Sequence, residues 1–96
     1  MKMMTDEQLR NAAECLKVLA HPVRLKLIQR LIVDKFTVTE LAKECDIRQH
    51  VASEHLRLLQ RCGLLNSRKE GRRVYYDLAQ KELINLMSLI EAKFGQ

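Results

Sequence analysis

The regular spacing of apolar residues is interrupted once along this chain, and that interruption limits the fold more than any other feature. From residue 5 to residue 62, apolar side chains recur every three or four positions, which is typical of amphipathic helices. Residues 64–78 instead indicate strand, turn and strand, with Glu70-Gly71 at the turn and a strand-prone Val74-Tyr75-Tyr76. Apolar residues again recur every three or four positions at about 80–94, which predicts a last helix. The pattern predicts a mainly α fold of about five helices with a small β-hairpin.

Residues that start and stop helices divide the first part of the chain. Thr5 can cap a first helix, at about 5–20, and Pro22 suits the first position of a second helix that ends near residue 33. Thr37 or Thr39 can cap a third helix, and Thr37 has a Glu three residues later, as in a capping box.

A fourth helix is predicted at about 48–62. Gly63 follows it, at the position where a left-handed residue commonly ends a helix. A tight turn that begins at Asp46 separates this helix from the third.

Length and composition predict one domain over residues 1–96. A hydrophobic content of 47% is too high for a disordered chain. No apolar run approaches the roughly 18–20 residues that cross a bilayer, and residues 1–10 lack the apolar core of a signal peptide. We therefore expect a cytoplasmic protein with no membrane partner.

Three cysteines without a C-x-x-C pair argue against a disulfide framework and a standard zinc site. Our default interpretation is that Cys15, Cys45 and Cys62 are small buried apolar residues. The sequence also lacks a glycine-rich phosphate loop, a nucleophile elbow and a metal triad. We expect neither an enzyme nor a cofactor.

Positive charge is concentrated in the middle of the chain. The net charge is +5, and residues 43–73 carry eight basic and four acidic side chains, a local +4. A localised basic patch on a small domain favours a polyanionic partner.

The third helix, the turn and the fourth helix form a helix-turn-helix, and a basic hairpin follows at once. This order is typical of a winged helix-turn-helix that binds double-stranded DNA. At about 100° per residue, Leu56 and Leu59 lie within about 40° of Ala52, so these three predict the buried stripe of the fourth helix. The opposite face and the hairpin supply the candidate DNA-binding residues: Arg48, Gln49, His50, Ser53, Glu54, Arg57, Arg68, Lys69, Arg72 and Arg73.

We expect the helix to select sequence and the hairpin to supply affinity. The hairpin carries four basic side chains against Glu70, a net +3 over residues 68–73. Such a wing can hold phosphates or enter the minor groove. Glu54 is unusual on a DNA-facing surface, because phosphates repel it unless it accepts from cytosine or pairs with an arginine.

These residues resemble the ArsR/SmtB family of small bacterial winged-helix repressors. The matching blocks are residues 19–27, 38–42, 53–59, 62–65 and 68–76, with sequences LAHPVRLKL, VTELA, SEHLRLL, CGLL and RKEGRRVYY. The resemblance implies a homodimer, a palindromic operator near a promoter, and repression that a signal relieves.

Dimerisation has separate support in the terminal helices, at about 5–20 and 80–94. The last helix is apolar over a wider face than one core stripe needs, and the first helix also has spare apolar surface. A dimer through these helices would place two recognition helices about one DNA turn apart. The predicted interface residues are Leu9, Ala13, Leu16, Leu83, Leu86, Met87, Ile90 and Phe94.

The chain departs from the metal-sensing members of the family. Thr37-Val38-Thr39 stands where some members carry Cys-x-Cys. His50 and His55 are about 140° apart around one helix, so they cannot chelate one ion together. Other members carry Asp and His ligands on the last helix, and the matching residues of this chain are Gln80, Glu82, Lys93 and Gln96. We therefore expect no metal site.

Two other functions remain open from the sequence. A winged-helix protein-protein module, such as an anti-repressor that has lost DNA binding, would share the fold, although the basic wing disfavours it. RNA binding is disfavoured by an aromatic content of 4%, since Tyr75 and Tyr76 alternate across a strand and offer no stacking platform for several bases.

Overall fold

The computed structural model describes residues 1–95, and Gln96 lies outside the described residues. Five helices and three strands lie within this range, in agreement with the predicted mainly α fold. In chain order they are α1 (Asp6–Leu19), α2 (Pro22–Val33), β1 (Phe36–Thr37), α3 (Val38–Glu44), α4 (Gln49–Arg61), β2 (Leu65–Glu70), β3 (Arg73–Leu78) and α5 (Leu83–Phe94).

Local side-chain caps set the first residues of α1 and α3. Thr5 and Gln8 exchange backbone and side-chain hydrogen bonds at 2.9 and 3.1 Å. Thr37 and Glu40 form the same capping box at 2.7 and 3.1 Å, so Thr37 and not Thr39 begins α3. Each box satisfies backbone N–H groups that the first helical turn leaves without a partner.

The hairpin is part of a three-stranded antiparallel sheet in the order β1-β3-β2. β1 pairs Phe36 with Tyr76, a contact that two residues of sequence pattern could not predict. The predicted turn was wrong by one residue, because Glu70 pairs with Arg73 and the turn centre is therefore Gly71-Arg72. Gly71 has a φ of 62°, which glycine adopts without steric cost.

The core lies between α2, α3, α4 and the sheet. Its largest fully buried side chains come from all four of these parts, so no single element could form it alone. They are Leu27, Ile28, Leu41, Leu56, Leu59 and Leu65. The turn between α3 and α4 is tight because Asp46 adopts a φ of 53°, a conformation that Asp tolerates better than most residues.

The terminal helices contact this core through little of their surface. Within α1 only Leu19 is buried, and within α5 only Leu83. α5 begins at Leu83 and not near residue 80, since Lys81 and Glu82 form a turn before it. None of the described helices is both long enough and apolar enough to cross a membrane.

Candidate nucleic-acid interface

The inner face of α4 is fully buried and its outer face is exposed. Ala52, Leu56 and Leu59 have no exposed surface, as the helical spacing predicts. The other face carries a row of predicted DNA-binding side chains, of which Ser53 is half-buried and the rest are exposed: Arg48, Gln49, His50, Ser53, Glu54 and Arg57. The same packing that buries one stripe therefore directs the polar stripe to solvent.

The first turn of α4 presents positive potential on this face. Arg48 occupies the N-cap position and makes no side-chain capping bond. The leading N–H groups of a helix carry the positive end of its dipole. Together with the Arg48 side chain, they favour negative groups near Gln49 and His50.

Arg68 is held along the wing by two carboxylates. Its Nε donates to Glu70 Oε2 at 2.6 Å, its Nη1 donates to Asp77 Oδ2 at 3.4 Å, and its guanidinium lies 5.3 Å from the centre of the Tyr75 ring. The hydrogen bond from Arg68 holds the pKa of Glu70 below its ordinary value. A phosphate contact by Arg68 would have to compete with these partners.

Lys35 joins this arrangement from the loop after α2, a contact that the sequence analysis missed. Its Nζ lies 3.6 Å from Glu70 Oε2 and 4.7 Å from the centre of the Tyr75 ring. Lys35 and Arg68 thus share one tyrosine and one carboxylate. Lys35 and Tyr75 are 40 positions apart in the sequence, so no local pattern links them, and only the pairing of β1 with β3 brings them together.

Three other wing cations remain available. Lys69, Arg72 and Arg73 are exposed, and none of the ion pairs in residues 1–95 involves them. Arg73 also has a side-chain hydrogen bond with Tyr75, which raises its pKa, but a cation outside an ion pair loses little when it moves to a phosphate. The wing therefore offers these three side chains to a ligand more readily than Arg68.

One cleft of about 390 Å³ joins the wing to the recognition helix. Gln49 and Ser53 of α4 face Arg72 and Arg73 across it, and Glu40 lies on its α3 side. A backbone hydrogen bond from Thr37 lowers the pKa of Glu40, so its carboxylate stays ionised and bound to the capping box. The cleft brings two of the predicted helix residues and two of the predicted wing residues to a single surface.

The comparisons with known proteins agree with this geometry. A family model described as "Helix-turn-helix domain" matches residues 19–68. The biofilm growth-associated repressor of Agrobacterium fabrum is 35% identical over 89 residues, which cover 93% of this chain and 76% of the repressor. The chain belongs to the ArsR/SmtB family. As an ArsR/SmtB member it is a DNA-binding transcription regulator and not an enzyme.

Solved structures show the same ArsR/SmtB architecture. HlyU from Vibrio cholerae N16961 superposes with a TM-score of 0.85 at 30% identity, over 96% of this chain and 100% of HlyU. A homodimeric winged helix-turn-helix DNA-binding domain from Mycobacterium bovis, a possible ArsR-family regulator, gives a TM-score of 0.81 at 28% identity, over 96% of this chain and 88% of the domain. The predictions of a winged helix-turn-helix and of DNA binding are confirmed.

The family's metal-binding positions hold other chemistry in this ArsR/SmtB chain. Thr37 is buried in its capping box, and Glu82 is the N-cap residue of α5. Gln96, the last of the compared positions, lies outside the described residues. Among residues 1–95, no three His, Cys, Asp or Glu side chains are close enough to hold one ion together.

The three thiols occupy different environments. Cys45 is buried, and burial raises its pKa. Cys15 and Cys62 are half-buried neighbours, and burial followed by the nearby Cys62 raises the pKa of Cys15. A raised pKa keeps a thiol protonated and slow to react.

Proposed function

We propose that this ArsR/SmtB chain is a homodimeric repressor that binds a palindromic operator and is released by a small signal. The observation that carries the proposal is the shared cleft, where Gln49 and Ser53 of α4 face Arg72 and Arg73 of the wing. A duplex with α4 in its major groove would bring the adjoining backbone to these arginines. Since such a regulator acts on the chromosome, we place it in the bacterial cytoplasm.

In this proposal the first residues of α4 read base edges. Gln49, His50 and Ser53 can donate or accept hydrogen bonds there, and Arg57 can reach phosphate or guanine. Glu54 is exposed beside them and is suited to accept from the amino group of cytosine. Lys69, Arg72 and Arg73 then hold the phosphates, while Arg68 supports the wing.

The proposed dimer uses the uncovered faces of α1 and α5. Leu9 and Leu16 are 51% and 54% exposed, and Phe94 is 72% exposed. Leu86, Met87 and Ile90 are half-buried and Ala13 is exposed, so all four have surface left for a partner. Leu83 belongs to the core of the single chain, at 5% exposed, and we exclude it from the interface.

Selection of bound duplexes from random DNA tests the proposed function. We expect two inverted half-sites about one helical turn apart, because a two-fold dimer presents two copies of α4. The variant Glu54→Ala should select a different base at one position of each half-site, since a base contact carries sequence information and a phosphate contact does not. If the recovered duplexes shared no common sequence and their affinity for the protein did not depend on salt, the chain would be a protein-protein module instead.

A matched pair of wing variants separates phosphate contact from support. For Lys69→Gln, we expect affinity of the dimer to fall about 30-fold near 0.15 M salt and the slope of log K against log salt to become about 1.8 less steep, as for two lost phosphate contacts, one in each subunit. Arg68→Gln removes the same charge from a side chain held by Glu70 and Asp77. Its slope should change by less than half as much. Equal slopes for the two variants would contradict the assignment of Arg68 to support.

A further inference from the structure

A half-buried arginine joins the recognition helix to α1 and α2. Arg24, in the first turn of α2, donates from Nε to His55 Nδ1 of α4 at 3.1 Å. Its Nη1 donates to the backbone oxygen of Val18, in the last turn of α1, at 2.8 Å. One side chain therefore connects the consecutive helices α1 and α2 to α4, whose His55 is 31 positions away in the sequence.

His21 completes this group, which we call the Arg24 junction (His21, Arg24 and His55 with the Val18 carbonyl). The His21 ring lies 4.9 Å from the His55 ring, centre to centre, at 56° between planes. Its Nδ1 accepts from the backbone N–H of Val23 at 3.1 Å and so caps α2. Both imidazoles thus use Nδ1 as an acceptor.

This geometry requires a neutral His55. An imidazole can accept at Nδ1 only while that nitrogen carries no proton, and the arginine opposite is always charged. A proton on His55 would remove the hydrogen bond and place two cations against each other. Burial, Arg24 and His21 lower the pKa of His55 in that order, whereas Glu54 on the same helix opposes them.

His55 lies inside the DNA-facing segment of α4. It is next to the exposed Glu54 and the fully buried Leu56, so the contact with Arg24 is made at the border between the buried and the outer face of the helix. Leu56 and Leu59 hold α4 by apolar contact, which resists separation but is not directional. The hydrogen bond from Arg24 depends on distance and angle and is lost after a small displacement, so it fixes the position of α4 more narrowly than apolar contact does.

We propose that Arg24 is a positioning residue for DNA binding, which holds α4 through a neutral His55, and that acid weakens operator affinity by protonating His55 and releasing the helix. The inference rests on the proposed function and adds regulation of the same site. The sign follows from linkage. The released helix leaves His55 freer to take a proton, so a falling pH favours the released arrangement.

The test measures affinity for the selected operator at about pH 7.5 and about pH 5.5 in wild type and His55→Asn. Asparagine keeps an acceptor near the place of Nδ1 and does not titrate. Between these pH values the affinity of wild type relative to the variant should fall severalfold, and by no more than about tenfold for each subunit of the dimer, the limit set by one proton with an ordinary pKa near 6.5. Dividing one affinity by the other removes every pH response that the two proteins share. A ratio that does not change with pH would overturn the proposal.

A second measurement needs no DNA. Proton NMR titration of His55 should show a lower pKa in wild type than in Arg24→Gln, because the variant removes the cation that opposes protonation. Arg24→Gln should also bind operator more weakly at about pH 7.5 and lose most of the pH response. An unchanged His55 pKa in a folded Arg24→Gln would overturn the junction itself. If wild type binds no duplex at all, the proposed function fails and the DNA role of Arg24 fails with it, whereas the titration still reports the contact.

Discussion

Leu16→Glu is expected to convert the dimer into a monomer and to lower operator affinity about 100-fold or more, because linked half-site contacts become independent. Leu16 is 54% exposed on α1, so the single chain tolerates a charge there. A partner's apolar face would not, since an unpaired carboxylate would be buried against it. Sedimentation at micromolar concentration gives the oligomeric state, and titration of operator DNA gives the affinity.

Asn11→Glu is the matched control for this change. It places the same charge on α1 at an exposed position about 140° from Leu16, on the side away from the predicted apolar stripe. We expect a dimer whose operator affinity is close to that of wild type. A dimeric Leu16→Glu with full affinity would show that α1 does not lie in the interface.

Leu56→Ala is expected to reduce the free energy of unfolding by about 2–5 kcal/mol, the usual cost of a cavity at a buried leucine. Leu56 has no exposed surface and packs in the core from the middle of α4. Domains are commonly stable by about 5–15 kcal/mol, so this loss is a large fraction of the total. Chemical denaturation followed by circular dichroism measures it.

Val33→Ala provides the comparison, because Val33 is an apolar residue that is 74% exposed at the end of α2. A surface truncation of this kind changes stability by about 0.5 kcal/mol or less. If Leu56→Ala and Val33→Ala lost similar amounts of unfolding free energy, the placement of the core between α2, α3, α4 and the sheet would be contradicted.

The predictable part of the fold depends on neighbours in sequence. A capping box needs residues three positions apart, as at Thr37 and Glu40, and the buried stripe of α4 needs only the helical repeat that aligns Ala52, Leu56 and Leu59. Gly63 ends α4 with a φ of 79°, as predicted from its position. These features recur in many chains because the backbone geometry that produces them is local.

The exposure of the candidate DNA-binding face of α4 was predictable for the same reason, whereas the contacts of one wing residue and of one α5 residue were not. The stripe opposite Ala52 is exposed because its partner stripe is buried, which follows from the helical repeat. Arg68 is a predicted DNA-binding residue of the wing, and in the structure it also pairs with Glu70 and with Asp77 on the neighbouring strand. Leu83 was counted with the dimer face, but it packs into the core of its own chain.

By itself, the amino-acid sequence determined the order of the five helices and the two hairpin strands, the helix-turn-helix with its basic wing, and which face of α4 points outward. Tertiary structure alone decided the pairing of β1 with β3, the ring shared by Lys35 and Arg68, and the bond from Arg24 to His55 across 31 positions. Hydrophobic periodicity repeats over a few residues and reports on one element at a time. A hydrogen bond between distant side chains depends on how two elements pack, and no local pattern encodes that distance.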